Sequence, residues 1–363
     1  MVVVALREGG HRGLQCGVAK EVVGLKGHAD RLVVPPADTH AAKRAYLRAE
    51  PLVACPAMRF AVMIEGQEDV TWEDWLLLAR TCERLGFETL FRSDHYLSVM
   101  GGRTRGALDA WATVCGLAAV TSTLRLGTLV SPATFRHPSV LAKLAVSADH
   151  ISGGRVELGI GTGWNEDEHT AYGFPFPSMR TRMDRLAEQV EVVHRSWGDE
   201  PFSFQGEHYT IENLDARPKP VQKPHVPLLM GGAAGPRGAA LAARWADEYN
   251  VVGATPAEAA ERRGRLREAC ERAGRDPDTL RFSVMHPFVV GSEEADLRRR
   301  ADELATLGQP GAGEGLSGRP DRLVERLREY AEAGVERVML QHLLHRDTEA
   351  LELLAAEVVP ALA

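Results

Sequence analysis

The pair Asp94-His95 is the first place in this chain where residue types could do chemistry. An imidazole changes charge near neutrality, so His95 can give or take a proton beside a reacting atom. A histidine bonded to a neighbouring loop is the plainer alternative. The second place is Gly159-Ile160-Gly161-Thr162-Gly163-Trp164-Asn165-Glu166. Its glycines let backbone amides approach a ligand because no Cβ stands in the way. A tight turn would use the same residues. The third is Gly231-Gly232, with a helix opening at Pro236, where amides and a helix N-terminus could cradle a phosphate. Here too a structural turn competes.

Other chemistries lack their residues. The 13 histidines show no His-x-x-x-His spacing with acid support, so no metal is expected. A serine nucleophile elbow, a Walker loop and a dinucleotide fingerprint are absent. The Arg-rich stretches 262–272 and 298–300 read as solvated helix faces.

Composition narrows the class. Of 363 residues, 44% are hydrophobic and 26% charged, an ordinary globular balance. The net charge of −7 is spread through the chain, and no basic stripe proposes a nucleic-acid or membrane surface. The five cysteines (16, 55, 82, 115 and 270) have no ligand-like spacing and no disulfide framework, which fits a cytoplasmic protein. No apolar run approaches the roughly 20 residues needed to cross a bilayer, and no signal-peptide order opens the chain.

The elements that must position these groups follow from periodicity. Residues 1–57 mix short apolar runs with Gly, Pro and His, and read as a poorly ordered N-terminal extension with Met58 as the natural start. From 58 to 363 strands and helices alternate. Strands are predicted at 59–64, 88–92, 124–130, 155–160, 228–230, 248–252, 281–290 and 337–341. Helices are predicted at 71–85, 108–120, 138–150, 178–197, 236–246, 256–273, 293–307, 320–333 and 348–359. The helix 108–120 is apolar almost all round and is expected to be buried. Residues 202–211 alternate like a hairpin and 217–227 are Pro-rich, an insertion between the fourth and fifth strands. Residues 308–318 form a glycine-rich loop expected to be mobile. Eight such units predict an α/β fold, a (β/α)8 TIM barrel; an open doubly wound sheet would not need eight repeats. In such barrels function collects at the C-terminal strand ends. Those ends hold Glu65-Gly66, Ser93-Asp94-His95-Tyr96, Ser131 to His137, the glycine stretch, Gly231-Gly232 and Gln341-His342.

Taken together, these strand ends resemble those of the bacterial luciferase-like flavin and deazaflavin oxidoreductases, and among them the branch that uses the deazaflavin coenzyme F420. The matching residues are Ser93-Asp94-His95, the run from Leu126 to Pro138, and the run from Ser152 to Glu166. Tyr172-Gly173-Phe174-Pro175, the segment 204–209, the segment 218–224, Gly231-Gly232 and Ala246 to Asn250 match as well. The resemblance implies a ring-binding site backed by a bulge on the third strand, with a non-prolyl cis peptide at Leu129-Val130. It implies Asp94 and His95 as the catalytic pair beside the ring's reactive carbon, His95 as acid/base and Asp94 holding the site's hydrogen bonds. Asp94, Leu129, Val130, Ser131, Gly161, Thr162, Gly163 and Asn165 would contact the cofactor, with Asn165 at its pyrimidine edge. Gly231 and Gly232 would approach its phosphate, and Trp164 and Glu166 would line the substrate pocket.

One departure bears on substrate. Sugar-phosphate dehydrogenases of this branch place a catalytic Glu directly after Gly-Thr-Gly, whereas Trp164 stands there here. Glucose 6-phosphate is therefore not expected as substrate, and an apolar or aromatic one is. The leading function is an F420-dependent oxidoreductase acting on a small organic molecule. The alternatives are an FMNH2-dependent monooxygenase on the same barrel and a flavin- or deazaflavin-binding protein without turnover. Relatives are often dimers packed through the helices after the second and third strands, so a homodimer is expected, with no nucleic-acid or membrane partner.

Overall fold

The computed structural model describes residues 57–100, 104–312 and 315–362. The expected extension at 1–57 thus lies outside the described residues except for Ala57. Eight parallel strands close into a barrel: β1 (Arg59–Ile64), β2 (Thr89–Arg92), β3 (Arg125–Pro132), β4 (Val156–Gly161), β7 (Leu228–Gly231), β8 (Glu248–Val252), β9 (Arg281–Pro287) and β12 (Arg337–Gln341). Around the barrel the order is β1-β12-β9-β8-β7-β4-β3-β2. The insertion is the antiparallel hairpin β5 (Phe202–Gln205) and β6 (Thr210–Leu214), between the fourth and fifth barrel strands as predicted.

The period-2 alternation of each strand divides its side chains between two cores. In β1, Phe60, Val62 and Ile64 join the large cluster under the helices, while Ala61 and Met63 point into the barrel. Phe91, Leu129, Leu229, Met285 and Met339 meet them there. Below lies a buried ionic floor, in which Arg337 bonds Glu157 at 2.7 Å and Glu248 at 3.0 Å. Above, the next inward positions face the C-terminal mouth.

The helices are α1 (Trp72–Leu85), α2 (Ala110–Val120), α3 (Pro138–Ser152), α4 (Glu166–Tyr172), α5 (Met179–Trp197), α6 (Pro236–Trp245), α7 (Pro256–Arg272), α8 (Glu294–Thr306), α9 (Pro320–Glu332) and α10 (Thr348–Leu353). Local sequence sets their ends. Thr71 and Asp74 make a reciprocal capping box on α1, and Gly86 closes it in the left-handed conformation. Among the described residues, no helix is long and apolar enough to cross a membrane.

Three expectations change. The helix predicted at 108–120 begins at Ala110, because the Asp109 side chain caps it, and it is not wholly buried: Val120 is 51% exposed. The strand predicted at 281–290 breaks at Phe288, after which β10 (Val289–Val290) leaves the barrel and pairs with β11 (Ser317–Gly318). Part of the glycine-rich loop is therefore ordered in a small sheet. The closing helix ends at Leu353 and passes through a wider turn over Leu354–Val358.

Candidate active site

The inward phase of each strand carries on past its last hydrogen bond, and those side chains line a cavity of about 530 Å³. That is a volume suited to one ligand of drug size. Met63 and Glu65 come from β1, Ser93 and His95 from β2, Gln341 from β12, Met285 from β9, and Asn250 and Val252 from β8. Leu129, Val130 and Pro132 of β3, Gly161 to Trp164 after β4, and Gly231-Gly232 after β7 complete the wall.

One side of the cavity is shaped by a bulge. Between Thr128 and Ser131, β3 has one residue more than β4 opposite it, so Leu129 and the following Val130 both face inward. The Leu129-Val130 peptide is cis, as the resemblance implied. The glycines opposite are what make room. A Cβ on Gly159 would stand 2.0 Å from the Thr128 carbonyl oxygen, and one on Gly161 2.7 Å from Val130 Cγ2. Gly163 adopts φ +77°, a conformation few other residues tolerate. With Gly231 and Gly232 on the next strand, β4 and β7 present a wall free of side chains.

His95 is built into the cavity by residues from another strand. Its Nδ1 lies 2.8 Å from Glu168 Oε2, and its edge meets the Trp164 ring at a centroid distance of 5.5 Å. Glu168 is fully buried; its other oxygen accepts the amides of Tyr96 and, at 3.1 Å, Leu97. Burial works against a charged imidazole, but the Glu168 carboxylate outweighs it and raises the His95 pKa. With Nδ1 taken, Nε2 is the nitrogen left for the cavity.

Asp94 lies behind the wall and not on the cavity. Its Oδ2 accepts Ser131 Oγ at 2.6 Å and Arg136 Nη1 at 2.5 Å, tying the end of β2 to the bulge of β3. Ser131 is likewise buried, held also by Trp111 Nε1 at 3.1 Å. Asp94 therefore does hold hydrogen bonds, but those that fix the bulge.

Two further residues stand elsewhere than expected. Asn165 is the N-cap of α4, its side chain accepting the Glu168 amide at 3.3 Å, and it is not part of the cavity wall. Glu166, the first residue of α4, points to solvent. The cause is helical: once a helix starts at residue 166, the third residue of its first turn is the one that reaches inward. Glu168 is thus the acid that the sequence reading missed. Glu65, Ser93, Asn250 and Gln341 were missed as site residues too, though Glu65, Ser93 and Gln341 stand at strand ends and Asn250 within β8, where the inward phase could have found them. Leu129, Val130, Gly161, Thr162, Gly163, Trp164, Gly231 and Gly232, which the sequence singled out for cofactor or substrate contact, all line the cavity.

The polar groups point to a ligand. Glu65 accepts Gln67 Nε2 at 2.8 Å and Gln341 Nε2 at 2.5 Å. Asn250 donates through Nδ2 to Ser283 Oγ at 3.0 Å, while its Oδ1 is buried with no hydrogen-bond partner. A buried unpaired acceptor costs about 1–3 kcal/mol unless something donates to it. Among the described residues, no group of three or more His, Cys, Asp or Glu could hold a metal ion.

The chain is similar to known proteins. The family model described as luciferase-like monooxygenase matches residues 56–350. An uncharacterized protein of Mycobacterium tuberculosis is 32% identical over 269 residues, covering 70% of this chain and 90% of that protein. An F420-dependent glucose-6-phosphate dehydrogenase of Microbacterium testaceum is 29% identical over 311 residues, covering 77% of this chain and 90% of that enzyme. Among solved structures, an F420-dependent secondary alcohol dehydrogenase in complex with an F420-acetone adduct superposes with a TM-score of 0.71. It is 21% identical, over 85% of this chain and 99% of that one, and shows the shared fold. With the family model covering the whole barrel, and with the strand-3 bulge and glycine wall in place, the chain belongs to the luciferase-like monooxygenase family.

Proposed function

We propose that this protein is an oxidoreductase that transfers a hydride between coenzyme F420 and a small organic substrate at the C-terminal mouth of its barrel. The observation that carries the reading is His95: anchored through Nδ1 by Glu168, it faces a cavity that β4 and β7 wall with glycines. Val130, seated against Gly159, Gly161 and Gly231, gives one side of the cavity a low apolar wall, which suits a planar ring, and the unpaired Asn250 Oδ1 suits a donor on that ring or its substrate. Leu129, Val130, Gly161, Thr162 and Gly163 would hold the ring, with Gly231 and Gly232 toward the phosphate. The deazaflavin supplies a carbon that carries a hydride.

The chain's own residues then have three tasks. His95 Nε2 takes or gives the single proton that accompanies a hydride. Glu168 keeps the proton of the neutral ring on Nδ1, so that Nε2 is the acceptor. Trp164, 63% exposed at the rim, offers an aromatic face to whatever occupies the mouth.

The family's name keeps a flavin monooxygenase as the second reading, since an isoalloxazine is a planar ring of the same kind. Titration of the protein with F420 and with FMN, each followed by cofactor fluorescence, separates the two. Saturable quenching of F420 is the expected result. FMN binding with oxygen-dependent turnover, and no F420 binding, would overturn it. His95→Ala that binds F420 normally yet turns over no acceptor speaks against a storage protein.

We further place the protein in the cytoplasm, in keeping with free thiols at Cys82, Cys115 and Cys270, and infer a homodimer through α2 and α3. Val120, Val140 and Ile151 on those helices are each about half exposed, the kind of apolar surface a partner would cover. Light scattering should return twice the chain mass of 39.6 kDa; a monomer mass at micromolar concentration would count against it.

A further inference from the structure

The hydrogen bonds of the cavity wall have a direction. β12, β1 and β2 are consecutive neighbours in the barrel and place Gln341, Glu65 and Ser93 along one side. Gln341 Nε2 donates to Glu65 Oε1 at 2.5 Å and Gln67 Nε2 to Glu65 Oε2 at 2.8 Å. Ser93 Oγ gives its hydrogen to Gln67 Oε1. On β8, Asn250 Nδ2 donates to Ser283 Oγ at 3.0 Å and Met339 Sδ at 3.3 Å. Each of these donors is engaged within the protein. What is left to the cavity is acceptors: the remaining lone pairs of Glu65, and the Oδ1 of Asn250, a residue 1% exposed whose oxygen has no partner.

The charge of the wall is equally one-sided. Glu65 accepts through both oxygens, as a carboxylate does, and among the described residues that line the cavity none is a lysine or arginine. The guanidinium groups behind the wall are committed elsewhere. Arg92 bonds Thr113 at 2.8 Å, and Arg136 bonds Asp94 and, at 2.9 Å, Asp109. His95 has its own carboxylate in Glu168. A nearly buried carboxylate without a counter-ion is costly, and a ligand that brings the positive charge removes that cost.

We infer that the substrate of this site is an organic cation, a protonated primary amine on an apolar body, and that Glu65 is the residue that selects it. The inference rests on the oxidoreductase reading above and names the substrate class for that same site. An ammonium group is all donors and no acceptor, the complement of Glu65 and Asn250 Oδ1. Met63, Val99, Val252 and Met285 are the apolar surface for the rest of the molecule, and the indole of Trp164 at the rim attracts cations. In the reaction, His95 Nε2 takes one proton from the ammonium. The carbon bearing the nitrogen gives up its hydrogen with two electrons to oxidised F420, and the nitrogen lone pair forms the C=N bond. The product is an iminium cation, which water converts to a ketone and ammonium after release, and protonated His95 returns its proton to water. Positive charge thus re-forms on nitrogen during hydride transfer, where a fixed carboxylate favours it.

Three ligands of one shape and different charge test this: cyclohexylamine, a cation at pH 7 because an alkylamine titrates near about 10.4, cyclohexanol and cyclohexanecarboxylate. Binding is followed by tryptophan fluorescence, with and without F420. The cation should bind about tenfold or more tighter than the alcohol, as a charge-assisted hydrogen bond allows, and the carboxylate should not saturate. The signal should fall in Trp164→Phe, which places the ligand at this mouth. Glu65→Gln should shrink the preference for the cation to less than about threefold, whereas Glu65→Asp, which keeps the charge, should retain it. Cyclohexylamine, 2-aminobutane and 1-phenylethylamine should reduce F420. Alcohol or carboxylate binding as tight as the cation overturns the inference, as does an undiminished preference in Glu65→Gln. So does an F420-loaded enzyme that reduces no F420 with any of the three amines. F420 binding is scored by its own titration, so its failure rejects the cofactor reading while the ligand series still judges the charge preference.

Discussion

At the residue scale, His95 and Glu168 form the unit on which the proposed chemistry would depend. Glu168 stabilises the charged imidazole and fixes which nitrogen carries the proton of the neutral one. Glu168→Gln keeps a hydrogen-bonding side chain but removes the charge, so burial would then dominate and the His95 pKa would fall. In the direction of reaction for which the neutral imidazole would act as base, the acidic limb of the pH–rate profile should move to lower pH. His95→Ala should lose about 10²–10⁴-fold in kcat, the usual contribution of a positioned acid/base group, with F420 binding retained. An unmoved profile in Glu168→Gln would show that the glutamate serves only the loop. The place of His95 on the cavity was legible because a histidine at a strand end is informative by itself. Glu168 was not, because three acids follow Asn165 and only the rotation of α4 selects the third.

At the element scale, the bulge of β3 and the glycines of β4 are one device. The extra residue pushes Val130 into the barrel, and the missing side chains at Gly159 and Gly161 receive it. Gly159→Ala would set a methyl group against the Thr128 carbonyl oxygen, and overpacking of this kind costs about 1–3 kcal/mol or more. Chemical denaturation should show that loss, together with weakened F420 binding because the wall deforms. Wild-type stability and binding in this variant would refute the coupling. The sequence reading took the glycines for a ligand loop; half of their purpose is to accommodate the neighbouring strand. That purpose could not be read locally, since the clashing atoms belong to a segment about thirty residues away.

At the scale of the whole molecule, the barrel is held from below by ions and shaped from above by the site. Arg337, Glu157 and Glu248 are almost entirely buried, and Arg125 joins Glu157 at 2.7 Å. Burial alone would raise the Glu157 pKa, but Arg337 and Arg125 outweigh it and hold the carboxyl well below its usual range. A depressed pKa contributes stability that is present above the unfolded value, about 4.3, and is lost as pH falls through the folded value. Glu157→Gln leaves Arg337 short of a partner and should cost about 3–5 kcal/mol at neutral pH. The gap between wild type and variant in urea unfolding should be full at pH 7 and shrink as the pH drops well below 4. A difference of less than about 1 kcal/mol at pH 7 would mean that Glu248 alone satisfies Arg337.

The sequence by itself determined the barrel, its closing order of strands and helices, the insertion hairpin and the strand ends where function collects. Those follow from period-2 and period-3.6 patterns, caps and turn residues, all of which act over a few neighbours along the chain. Only the tertiary structure decided which polar groups meet. It turned Asn165 into a helix cap and Glu166 to solvent, drew Asp94 and Ser131 behind the wall, and brought Glu168 to His95 across 73 residues. It also put Asn250 and Gln341 on the cavity. The reason is geometric: a residue's phase on its own strand says that it points inward, but its partner is set by the closure of the barrel, where strands distant in sequence become adjacent.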